Sequence, residues 1–327
     1  MNSVTPLLWR KALRNVPLVG ATIFAALIAG AGAALAKEAG LGAPFDWQMG
    51  FQEPASPVMR DIIDFHNFML WLITIIVIFV LGLMLYIMFR FNAKSNPVPS
   101  KNTHNTLLEV IWTVVPIIIL VAMAIPSFKL LYKDDVVPTA TRVADLYGID
   151  VAGEITLKAT GLQWAWEYEY VDNGVFLFSS CLYGPDYWCF GGEAPEGAHR
   201  LLETDNPVVV PVNTLVKVQV TAAAVIHAWA VPAFGVKIDA VPGRLNETWF
   251  VAERIGTYYG QCSELCGQYH SYMPIQVNVV SQEDYDAWLA GQLAAMQPDR
   301  LKAPTTEFAQ QGITPRRALA IAPDLAN

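Results

Sequence analysis

Two runs of the chain carry no charge: residues 68–89 and residues 110–128. Each matches the roughly 20 residues with which a helix crosses about 30 Å of hydrocarbon. In lipid, every backbone N–H and C=O must find its partner within the protein, so such runs fold as helices. Pro116 and Pro126 in the second run are tolerated there, because neighbouring helices can satisfy the freed backbone groups. The connection "RFNAKSNPVPSKNTHNTLL" holds Arg90, Lys94 and Lys101 and reaches no acidic residue before Glu109. Lys and Arg concentrate in cytoplasmic loops, so this loop is expected inside and everything after Lys133 outside.

A third apolar run, residues 15–36, follows a basic start with Arg10, Lys11 and Arg14 and ends in "ALA" at Ala34–Ala36. That pattern reads as a secretory signal cleaved before Lys37, with an uncleaved anchor helix as the alternative. An exported start and an external domain predict the same topology independently. Hydrophobic residues make up 54% of the 327 and charged residues 15%, which excludes an ordinary soluble enzyme. Charge is divided unevenly, with a net of +4 over residues 1–133 and −12 over residues 134–327. An acidic external domain repels nucleic acid and anionic surfaces and favours a basic protein partner.

From about Val136 the pattern changes to short β-rich runs broken by Gly, Pro and Asn. "EITLKATG", "VVVPVNTLVKVQVTA", "ETWFVAE" and "MPIQVNVV" alternate as strands do and predict a β-sandwich or barrel. "GLQWAWEYEY" reads as one strand with Trp164, Trp166, Tyr168 and Tyr170 on one face. Ser281 caps an amphipathic helix with Asp284 at its third position. The tail after Gln297, rich in Pro, Ala and polar residues, has the composition of a poorly ordered segment.

Within "YYGQCSELCGQYHSYMP", Cys262, Cys266, His270 and Met273 form C-x3-C-x3-H-x2-M, and His227 lies upstream in "AAVIHAWAVPAFGVKIDAVPGR". Two thiols, two imidazoles and a thioether form a soft donor set that suits copper better than magnesium, calcium or manganese. A mononuclear blue-copper site needs one Cys, whereas two can bridge a pair of metals with one His for each. Structural zinc and a Cys262–Cys266 disulfide are the alternatives, although zinc would have no use for Met273. Taken alone, His227 is more often a packed histidine than a ligand.

Together, "YYGQCSELCGQYHSYMP", "HAWAVPAFGVKIDAVPGR", "QWAWEYEY" and "LLEVIWTVVP" closely resemble subunit II of cytochrome c oxidase in its bacterial, mitochondrial-like form. The resemblance covers roughly residues 49–290. It implies a two-helix transmembrane hairpin followed by a cupredoxin-like β-sandwich. In domains, it implies a signal at 1–36, an external N-terminal segment at 37–67, the hairpin at 68–132, the copper domain at 133–280, and a C-terminal helix and flexible tail at 281–327.

By the same resemblance Cys262 and Cys266 bridge a binuclear copper centre. His227 and His270 are its terminal ligands, Met273 is axial, and Glu264 contributes its backbone carbonyl. The Glu264 carboxylate reaches a magnesium ion shared with subunit I, Trp164 is the electron-entry tryptophan, and Glu109 stands at the proton-channel entrance. The implied partners are subunit I with its haem, subunit III, cytochrome c and membrane lipid. The implied location is the inner membrane of a bacterium, with the copper domain periplasmic. The sequence has no C-x-x-C-H, so no haem of its own is expected.

Three positions depart from the pattern. Ala224 and Phe178 stand where acidic docking residues are usual, so docking is expected to weaken, to shift onto Asp186, Glu193 and Glu196, or to serve a different donor. Glu169 is retained. Leu162 replaces the His of "GHQW". Cys181 and Cys189 sit eight apart in a Gly/Pro-rich loop and are expected to pair as a local disulfide, with two free thiols or an extra metal site as the alternatives.

Overall fold

The computed structural model describes residues 42–45, 47–177 and 199–296. The expected signal, Phe178, Asp186, Glu193, Glu196, the Cys181–Cys189 pair and the tail beyond 296 lie outside the described residues.

Helices α1 (Pro57–Arg90) and α2 (Thr106–Asp135) form the hairpin. Both run past the charge-free segments at the ends nearer the β-domain. The α1 helix begins where Ser56 caps it: its Oγ accepts from Met59 N at 3.0 Å, and Pro57 supplies a preset φ at the first position. The same hydroxyl donates to Phe234 O at 2.7 Å, so the cap is also a tie to the β-domain. At the other end of the hairpin, Asn105 caps α2 by accepting from Leu108 N. Along both helices the apolar side chains face outward, Ile78 and Phe79 among them, as lipid contact requires.

After the hairpin, α3 (Ala140–Tyr147) turns the chain and stops at Gly148, whose φ of 68° suits glycine. Its Val143 shares a small core with Val58 of α1 and with Leu215, Trp249 and Val251 of the sheet above.

The domain that follows the hairpin is a β-sandwich. One sheet runs β3 (Val175–Leu177), β2 (Ala165–Tyr170), β1 (Gly153–Leu162), β5 (Thr214–Ala222), β8 (Asn246–Val251). The second runs β4 (Val208–Pro211), β10 (Pro274–Val280), β9 (Gly256–Gln261), and β6 (His227–Val231) pairs with β7 (Val236–Ala240). The β1–β5 and β4–β10 pairs are parallel and the rest antiparallel. Period-2 burial puts Leu157, Ala159, Val216, Val218 and Val220 inward while Lys158, Lys217 and Gln219 face out. Tyr170 ties the two sheets: its OH donates to Val209 O and accepts from Val209 N, both at 2.8 Å.

The alternation in "GLQWAWEYEY" does not continue through Trp164. Gln163 and Trp164 form the turn between β1 and β2, joined by a cis peptide bond. Trp166, Tyr168 and Tyr170 occupy the buried face as expected, and Trp164 sits at the rim.

The segment before α1 is part of the domain. Ala55 N donates to Ala233 O and Glu253 N to Ala55 O. Arg60 pairs with Glu253, and Arg254 with Glu53. Gly235 has φ +71°, a conformation that favours glycine, and a Cβ there would lie 3.1 Å from Met59 Cα, so α1 passes close over it. The C-terminal helix α4 (Gln282–Ala295) is capped by Ser281 as the sequence predicts, and lays Tyr285 and Trp288 against the core beside Tyr170.

Candidate metal centre

Three segments meet at one end of the sandwich. His227 opens β6, Cys262 follows β9, and the loop then runs through Cys266 to a short 3-10 turn, His270–Tyr272, before Met273 enters β10. Backbone bonds hold the loop: Cys262 N donates to Met273 O at 3.2 Å, Ser263 N to Ala228 O at 3.1 Å, and His270 N to Gly267 O at 3.2 Å. The indoles at the start of β2 clamp it from the side. Trp164 Nε1 donates to Cys266 O at 3.1 Å and Trp166 Nε1 to Met273 O at 3.4 Å.

The two thiols are free, buried and 3.9 Å apart. His227 Nδ1 is 3.8 Å from Cys262 Sγ, and His270 Nδ1 is 3.5 Å from Cys266 Sγ. Met273 Sδ is 3.6 Å from Cys266 Sγ, and the Glu264 carbonyl is 3.3 Å from Cys262 Sγ. Two donors on one tetrahedral ion at 2.0–2.3 Å lie about 3.3–3.8 Å apart, and these contacts run from 3.3 Å to the 3.9 Å between the thiols. The donor atoms of His227, Cys262 and Cys266 lie within 4.8 Å of one another.

The electrostatics suit a bound cation. Burial, and then the neighbouring His270, hold the His227 imidazole below its ordinary pKa. Burial first and the Cys262 charge second push the Cys266 thiol up to about 12. A bound cation reverses that preference, since a coordinating thiol is deprotonated outright. His227 is fully buried, and its Nε2 has no hydrogen-bond partner among the described residues.

Two contributors were not anticipated from sequence. The Trp166 ring stands edge-on to His227 at 6.0 Å. Gly161 of β1 lies directly under the imidazole: a Cβ there would be 2.6 Å from His227 Cδ2. The available signal was a glycine inside a strand pattern, which often marks close approach.

The other predicted residues are placed as follows. Trp164 packs edge-on against Tyr269 at 5.1 Å and over Gly267, at the rim of the loop. Glu264 is exposed, as is Leu265 beside it at 79%. Glu109 lies far away in the first turn of α2, paired with His104 at 2.7 Å. Glu169 is engaged by Lys158 at 3.2 Å, and Ala224 is exposed.

A two-span hairpin bearing a cupredoxin-like domain, with a soft-donor cluster compatible with copper, defines a membrane-anchored metalloprotein of the electron-transport type. Two family models match: "Cytochrome C oxidase subunit II, periplasmic domain" over residues 155–280, and its transmembrane domain over residues 44–130. The chain belongs to the cytochrome c oxidase subunit II family. It is 47% identical over 247 residues to a probable cytochrome c oxidase subunit 2 of Rickettsia bellii, covering 76% of this chain and 85% of that one. The wheat (Triticum aestivum) cytochrome c oxidase subunit 2 is 45% identical over 248 residues, with 76% and 90% covered. The periplasmic domain of subunit II of the Bradyrhizobium japonicum cytochrome oxidase is 45% identical, covering 50% of this chain and all of that one at a TM-score of 0.40.

Proposed function

We propose that the chain is the electron-entry subunit of a terminal oxidase. It takes electrons one at a time from a cytochrome c outside the membrane, at a binuclear copper centre. It passes them to haem in subunit I, where oxygen is reduced to water and protons are pumped. The observation that carries this reading is the placement of the two imidazoles at opposite ends of a buried thiol pair, with a thioether and a carbonyl completing the two ends. One ion would leave His270 outside the cluster that His227 and the cysteines form. Two ions use every donor.

Bound there, a copper pair supplies a one-electron redox site whose charge is spread over two metals and two sulfurs. The chain holds the donors still and dry. Cys262, Cys266 and Met273 are 6%, 5% and 1% exposed, so water reorganises little around them. Trp164 connects the outer rim to the site through its bond to the Cys266 carbonyl, as an electron-entry residue would. Exposed Glu264 offers its carboxylate to a magnesium ion at the border with subunit I, and a neighbour docked there would cover Leu265. Glu109, on the side of the basic loop, serves as the proton-channel entrance. It is also suited to stabilising its helix N-terminus.

The assembly includes subunit I and subunit III and sits in a bacterial inner membrane with the copper domain periplasmic. The domain order is the one drawn from the sequence, with residues 42–67 acting as part of the copper domain and of α1.

The test uses the full chain in detergent, loaded with copper. Expected are two coppers per chain and an electron spin resonance signal of one electron shared by two copper nuclei, lost in Cys262→Ser. One copper per chain, or a preference for zinc, refutes the reading.

A further inference from the structure

Between the two spanning helices, at the ends nearer the β-domain, lies a crevice of about 520 Å³. Its floor is apolar, built from Phe65 and Phe68 of α1 and from Ala122, Pro126 and Leu130 of α2. Its rim is charged, with Asp61 and Asp64 on one side and Lys129 and Lys133 on the other. The level follows from the sequence. Phe68 and Phe128 are the external ends of the two charge-free runs. Asp64 lies four residues beyond the first, about 6 Å at 1.5 Å per residue, and Lys129 directly follows the second. The floor therefore reaches into hydrocarbon and the rim stands among headgroups.

The four rim charges are not equivalent. Lys133 Nζ is 2.6 Å from Asp61 Oδ2, and the Tyr147 hydroxyl donates to the same oxygen at 3.3 Å. That pair is closed and also holds α3 to the hairpin. Asp64 and Lys129 are exposed and have no ion pair or hydrogen bond with any described residue. One free carboxylate and one free ammonium thus face a single crevice whose walls become apolar toward the membrane.

We propose that this crevice binds one zwitterionic phospholipid with a primary ammonium headgroup. The phosphate pairs with Lys129, the ammonium with Asp64, and the upper acyl chain lies over Phe65 and Phe68. The chemistry selects among lipids. An anionic headgroup would meet Lys129 but also the unpaired Asp64, which repels it. A quaternary ammonium headgroup has no N–H to donate to the carboxylate, whereas a primary ammonium has three. Charge-assisted hydrogen bonds of this kind are stronger than neutral ones, and here they form beside hydrocarbon. A soluble zwitterion would leave the apolar floor uncovered.

The proposal does not depend on the copper reading, and its test does not involve electron transfer. The assembled oxidase is placed in nanodiscs of phosphatidylcholine containing phosphatidylethanolamine with a photoreactive acyl chain, and the labelled peptides are mapped. Label is expected in the peptides spanning residues 61–68 and 122–133. Excess unlabelled phosphatidylethanolamine should displace it, and phosphatidylglycerol should not. Labelling in Asp64→Asn/Lys129→Gln should fall about tenfold or more, the worth of one to two charge-assisted bonds. Absence of label at these peptides would mean that a neighbouring subunit fills the crevice, and would overturn the proposal. So would equal displacement by phosphatidylglycerol, or undiminished labelling in the double variant. If that variant does not assemble, the competition in the wild-type oxidase decides.

Discussion

Gly161→Ala is the sharpest probe of how the strands position the metal site. Gly161 pairs with Trp166 on one side and Ala222 on the other. Its φ is unremarkable, so only space is at issue. An added Cβ would stand 2.6 Å from His227 Cδ2, 2.9 Å from Cγ and 3.1 Å from Cβ. Carbon atoms in contact sit near 3.5–4.0 Å, so the imidazole must move by about 1 Å or the strand must bow. His227 is fully buried with Trp166 edge-on to it, which leaves the ring little room to withdraw. Overpacking of this kind costs about 1–3 kcal/mol, and a displaced ligand weakens metal binding by about 10–100-fold. Gly153→Ala on the same strand meets nothing within 4 Å and serves as the control. The assay is copper retention by the full chain against a chelator, with the spin resonance spectrum of what remains. Gly161→Ala should lose copper faster and show altered hyperfine splitting, while Gly153→Ala matches the wild type. An unchanged spectrum and retention in Gly161→Ala would refute the argument that backbone space sets the ligand position.

Trp166→Phe removes the N–H bonded to Met273 O but leaves Cys262 N on that carbonyl, so a loss of about 1 kcal/mol in thermal stability and a shifted copper spectrum are expected, with the chain still folded. Ser56→Ala loses both the cap on α1 and the buried bond to Phe234 O, and should destabilise by about 1–3 kcal/mol in a denaturant titration, whereas Ser56→Thr keeps the hydroxyl and most of the stability. Glu154 accepts from Lys217 and from Ala140 N, which hold its carboxyl below the ordinary value of 4.5. A depressed folded pKa gives stability that is present above the unfolded value and lost as pH falls through the folded one. Glu154→Gln should therefore be less stable than wild type by well under about 1 kcal/mol near neutrality, the pair being over a third exposed, and the gap should close in melts at acid pH.

The features legible in the sequence are those whose signal is local. Charge-free runs announce the hairpin, and four donors within twelve residues announce the metal loop. Hairpin ends were less legible, because residues 57–67 carry Arg60, Asp61 and Asp64 and look like a soluble connection. They are helical because Ser56 starts the helix and because Val58, Met59 and Ile62 pack against the domain. Alternation across "GLQWAWEYEY" hid the turn at Trp164, since neither Gln163 nor Trp164 carries a turn residue's signature. Gly161 and Trp166 were out of reach for a different reason. Their importance lies in what stands opposite them, His227 and Met273, which are distant in the chain and meet them only through sheet register and packing across the sandwich.

The same packing explains why the segment before α1 belongs with the β-sandwich and is no mere leader to a helix. The Ser56 hydroxyl holds the Phe234 carbonyl, and the Phe234 ring stacks on Phe250 at 4.5 Å and 9°. Phe250 stacks in turn on Trp229 at 6.2 Å, and Trp229 Nε1 donates to the Tyr168 hydroxyl at 3.3 Å. Trp229 is two residues along β6 from His227, so a continuous column of close-packed aromatics runs from the mouth of the first spanning helix to the strand that presents a ligand. Close-packed interiors transmit displacement and do not absorb it. Arg60 with Glu253, and Arg254 with Glu53, brace the column from outside. A metal site carried this way keeps its height above the membrane and its orientation relative to the hairpin. On the proposed function, electron transfer to a haem held in a neighbouring membrane subunit would use that constancy, because it calls for a fixed distance between donor and acceptor.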